Sequence, residues 1–103
     1  MGLTEQVARR SGLAVRADAG MSLVSGSDAE EFLAGCERER LIVLGIEGFR
    51  FEGPTIIPDM NAIAAFDTPR VLGVAESIAE GRGFLRAVNR PGMWFEFALQ
   101  PEG

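Results

Sequence analysis

The segment Leu44–Gly53, LGIEGFRFEG, gathers residue types that could do chemistry: glycines at Gly45, Gly48 and Gly53, the acids Glu47 and Glu52, and Arg50 between Phe49 and Phe51. A glycine-rich loop that cradles phosphate is the first chemistry to test. A dinucleotide fingerprint needs G-x-G-x-x-G between a strand and a helix, and a Walker loop needs G-x-x-x-x-G-K-[ST]. Here Gly48-x-x-x-x-Gly53 runs into Pro54, and the flanking pattern is strand on both sides. Glu47 and Glu52 would also repel an anion. The glycines are therefore expected to shape the chain, with a bend or bulge at Gly48 and a hairpin turn at Gly53-Pro54.

Other chemistry is narrowed by what the chain lacks. It has no His, no Lys and no Tyr. The usual proton shuttle near neutral pH, the commonest metal ligand and the phosphate-loop amine are all missing. Cys36 is the only cysteine, so neither an internal disulfide nor a cysteine-based metal site is expected. Its place on an apolar stripe predicts a buried structural residue. Carboxylates remain: Glu47, Glu52, Asp59, Asp67 and Glu96 could bind Mg²⁺ or Ca²⁺, but no EF-hand spacing is present. No cofactor, metal or catalytic residue is expected, and the chain is read as non-enzymatic. A small carboxylate-site enzyme or ligand-binding domain is the alternative.

The elements that would carry these residues follow from periodicity. Leu3 and Val7 predict a short helix ended by Gly12. Residues 13–24 read as a loop with one short strand. Ser27 and Glu30 form a capping-box pattern before a helix whose stripe is Ala29, Phe32, Leu33 and Cys36. Gly35 inside that helix costs about 1 kcal/mol of helix propensity unless another element packs close there. Leu41–Ile46 is a continuous apolar run, expected as a buried strand. Phe49 and Phe51 then alternate with Arg50 and Glu52 and are expected on the core. Thr55–Pro58 is the hairpin partner, with Pro58 marking an edge. The segment 59–67 predicts one or two helical turns capped by Asp59. A long helix is expected from Asp67 or Thr68 to Asn89, with Val71 on its apolar stripe and an interruption near Gly81 and Gly83. Met93, Phe95, Phe97 and Leu99 form the inner face of a last strand, with Trp94 and Glu96 on the other. The outcome is a single-domain α+β fold: three or four mainly antiparallel strands with helices on one face.

Charge bears on partners. The net charge is −5, and residues 27–52 hold Asp28, Glu30, Glu31, Glu37, Glu39, Glu47 and Glu52 against only Arg38, Arg40 and Arg50. An acidic chain is repelled by nucleic-acid backbones and attracted to basic proteins. No apolar run is long enough to span a membrane. The opening MGLTEQVARR has no apolar core after its charges, so a cytoplasmic protein is expected.

The pattern Phe32-Leu33, Cys36, Leu41–Gly45 and Glu47 to Phe51 resembles part of the small α+β immunity proteins of bacterial polymorphic-toxin systems. The resemblance covers roughly residues 29–53. It implies a protein that binds and neutralises a cognate toxin, and many such toxins are basic nucleases. The expected partner surface is Glu47, Arg50, Glu52 and Trp94, with an arginine and a tryptophan as anchors in a charged rim. A homodimer pairing sheet edges or aromatic faces is a further alternative.

Overall fold

In the computed structural model, which describes residues 2–103, the apolar run and the FRFE alternation join into one long strand, β3 (Leu41–Glu52). It turns back at Gly53-Pro54 into β4 (Thr55–Ala65), with Glu52 opposite Thr55. Gly53 has φ +59°, the left-handed geometry that a two-residue hairpin loop requires of its first residue. The other strands are β1 (Arg16–Asp18), β2 (Met21–Ser25) and β5 (Trp94–Pro101). All five pair antiparallel in the order β1-β2-β5-β3-β4. The sheet exceeds the expected three or four strands because residues 16–25 form a complete hairpin. Its turn, Ala19-Gly20, has both residues at positive φ (+49° and +78°), an arrangement in which the sequence gives alanine no help.

An irregularity in β3 decides which side chains face which way. Val43 lies opposite Leu99, and Gly45 lies opposite the very next β5 residue, Ala98. Leu44 is thus an extra residue, a β-bulge. Side chains alternate along a strand, so one added residue reverses the faces beyond it. Ile46 and Gly48 pair with Phe97 and Phe95 and point toward the helices. Glu47, Phe49 and Phe51 point the other way. Phe49 and Phe51 do share a face, as their spacing predicts, but it is not the face of the main core.

The second irregularity lies opposite Gly48. Glu47 pairs with Ile63 and Phe49 with Pro58, which leaves Asp59, Met60, Asn61 and Ala62 to face Gly48 alone. These residues belong to a bulged strand rather than to the helical turns expected of 59–67. Asp59 does accept a backbone N–H two residues on, from Asn61 at 3.0 Å, but it organises the bulge and caps no helix. Ala62 is fully buried here. A methyl group on Gly48 would lie 2.8 Å from the Ala62 Cβ, 2.8 Å from the Met93 Cε and 3.1 Å from the Phe95 ring.

Three helices cover one face: α1 (Leu3–Ser11), α2 (Ala29–Arg38) and α3 (Val74–Val88). Gly12 ends α1 in the left-handed conformation, as expected. The capping box before α2 does not form: a 3₁₀ turn, Gly26–Asp28, leads into the helix, and the Ser27 hydroxyl pairs with that of Ser25. The third helix begins at Val74, not near Pro69. The chain first climbs from the sheet edge: the Phe66 N–H still bonds the Leu44 carbonyl, and Phe66 packs edge-on against Phe84. Val71 is consequently exposed. Gly81 and Gly83 do not interrupt α3. Gly81 lets α2 approach, since a Cβ there would sit 3.2 Å from Leu33, and Gly35 does the same for Val7 and Ser11 of α1.

The core between helices and sheet holds Val7, Phe32, Leu33, Cys36, Val43, Ile46, Ile78, Leu85, Phe95 and Phe97, with Phe32 and Phe97 rings 4.6 Å apart. Beyond the last β4 pairing at Gly45, the Val43 N–H is met by the buried Ser77 hydroxyl at 3.0 Å, which itself donates to the Val74 carbonyl at 2.9 Å. The hydroxyl does for β3 what the absent neighbouring strand would have done.

Two substitutions test these constraints by urea unfolding. Gly48→Ala should cost about 1–3 kcal/mol, because Ala62, Met93 and Phe95 leave no room for a methyl group. Ala19→Asn should raise stability by about 1 kcal/mol, because asparagine tolerates the left-handed turn better than alanine. An unchanged midpoint for either variant would contradict the corresponding geometry.

Candidate functional site

The face of the sheet opposite the helices is where the sequence's candidate residues can be weighed. The Leu44 bulge places Glu47 on it, directly opposite Glu96 of β5, and places Phe49 opposite Trp94. Arg50 and Glu52 alternate onto the other side of β3, beyond the helices, where they pair with each other at 3.3 Å. The expected group is therefore split. Glu47 and Trp94 share one face; Arg50 and Glu52 form a separate exposed ion pair at the hairpin tip.

A small apolar cluster organises one half of the face. Leu23 and Phe49 are buried although they lie outside the helix-side core. The half-buried Phe51 and Trp94 rings meet edge-on, with centroids 6.3 Å apart. Arg16, opposite Leu23 in the β1–β2 hairpin, lays its guanidinium 3.6 Å from the centre of Phe51 and 5.3 Å from that of Trp94. A cation over two aromatic faces is held by the negative potential of the rings and fastens the short edge strand to the sheet. Sequence reasoning missed Arg16, because the signal lies in strand order and not in local spacing.

The other half is acidic. A recess of about 320 Å³ runs over Gly45, Ala65 and Ala98, with Ile63 beside it and Glu47, Glu96 and Asp67 among its lining. Gly45 makes the floor low; a Cβ there would meet the Ala64 carbonyl oxygen at 2.8 Å. Among the described residues no cation lies within ion-pair distance of Glu47 or Glu96. Partial burial pushes the Glu96 carboxyl above its ordinary range, and the facing Glu47 carboxylate adds to the shift. Glu5 is moved the other way: the Ser22 hydroxyl bonds its carboxylate and favours the charged form.

The helices differ in this respect. Four acids on or beside them are matched by arginines, Glu39 by Arg10, Glu37 by Arg82, Glu30 by Arg86 and Glu76 by Arg70, although among the described residues Glu31 and Glu80 have no cation within ion-pair distance. Such surface pairs add little stability and offset only part of the charge on the helical side. The two acids facing each other across β3 and β5 have no such match.

Catalytic groups are sparse. Among the described residues no cluster of three or more His, Cys, Asp or Glu side chains is arranged to hold a metal ion. Cys36 is fully buried, and burial together with nearby Glu39 pushes its thiol up to about 12. Among the described residues no helix is long and apolar enough to cross a membrane. Comparison with protein-family models, with curated proteins and with solved structures yields no match.

Two outcomes follow from these shifts. A carboxyl whose pKa is raised by folding costs stability above that pKa, and the cost is relieved as pH falls through it. Glu96→Gln should therefore stabilise the fold at pH 7 by about 0.2–1 kcal/mol, the scale of a cross-strand like-charge pair. The gain should shrink as the pH drops through the range where Glu96 protonates, which urea midpoints across pH would show. For Cys36, a thiol titrating at about 12 is thiolate in only about one molecule in ten thousand at pH 8. Iodoacetamide should leave native protein unlabelled and label it rapidly in urea; fast native labelling would contradict the burial.

Proposed function

We propose that this chain is a non-enzymatic protein-binding module that receives a basic partner on the helix-free face of its sheet, in the manner of a cytoplasmic immunity protein neutralising a toxin. The observation that carries the reading is the uncompensated pair Glu47 and Glu96, set directly opposite each other on an open face. Like charges in that position weaken the sheet, so a fold selected for stability alone has no use for them. A partner's arginine or lysine would turn the repulsion into two attractions. The aromatic cluster of Phe51, Trp94 and Arg16 beside the acids supplies the kind of rigid anchor that interfaces favour. The two facing carboxylates would also attract a basic protein to this face and speed its capture.

A second reading rests on a different observation. Among the described residues the large exposed hydrophobics are Met60 and Ile63 on edge strand β4 and Val71 in the segment that follows it. That distribution suits a homodimer joined along β4, as an exposed strand edge can pair with another chain. The carboxylate-enzyme alternative is less favoured, because the chain offers no histidine or lysine to work with the acids.

The test is affinity capture from the native host by three forms of the chain: wild type, the double variant Glu47→Arg/Glu96→Arg, and Glu52→Arg. The reading expects a basic protein captured one-to-one, lost by at least tenfold in the double variant and retained by Glu52→Arg. Equal capture by all three folded forms would rule out the open face. Light scattering of the purified chain separates the second reading, since a strict monomer removes the β4 dimer.

A further inference from the structure

We draw no further inference here: the strongest candidate outside the face already described, the open groove of about 510 Å³ between the start of α2 and the end of α3, bordered by Ser27, Glu30, Leu85, Arg86 and Arg90, carries nothing because no feature of the structure shows what covers it.

Discussion

The single extra residue at Leu44 is the constraint on which the rest of this fold depends. Before it, Leu41 and Val43 share a face with Leu99. After it, the strand has reversed its sides, so that Ile46 and Gly48 lie under the helices. Without that reversal Glu47 would point into the core, beneath α2 and α3, where an unpaired carboxylate is very costly. Phe95 would meet that Glu47 side chain instead of Gly48, and the space into which Ala62 packs would be filled. The bulge thus decides both the packing of one face and the chemistry of the other.

Several details exist to accommodate that choice. Gly45 follows the bulge without a side chain, which allows the Ala64 carbonyl to approach. Ser77 supplies the hydrogen bond that β3 lacks beyond the end of β4. The bulge of Asp59–Ala62 in β4 brings Ala62 into the space that Gly48 leaves, and it kinks an edge strand that would otherwise offer a long flat template for pairing. The glycines of LGIEGFRFEG are each explained by shape: close approach at Gly45 and Gly48, and a left-handed turn at Gly53.

Much of this was legible in the sequence. The α+β class, α1 with its Gly12 stop, the α2 stripe with Cys36 inside, the Gly53-Pro54 turn and the inner face of β5 all follow from local rules. The errors have a common origin in tertiary context. Asp59 two residues before Asn61 makes the same side-chain bond in a bulge as it would at a helix start, so local rules alone read 59–67 as helical. The facing of Phe49 and Phe51 depended on a bulge at Leu44, which is an ordinary leucine with no signature of its own. Arg16 and Glu96 gained their significance only from strand order, which puts β5 between β2 and β3. Sequence spacing alone united Glu47 with Glu52; the alternation of β3 separates them and gives Glu47 a new partner in Glu96.

The reversal of faces in β3 is tested most directly by aromatic proton contacts in solution. A NOESY spectrum should show the Phe51 ring against the single indole of Trp94, and Ile46 methyl groups against Phe97 and Leu33 on the helix side. Contacts from Phe49 or Phe51 to Phe32, Ile78 or Leu85 would mean that the strand does not change sides at Leu44. In that case the acidic and aromatic face would lose its structural basis.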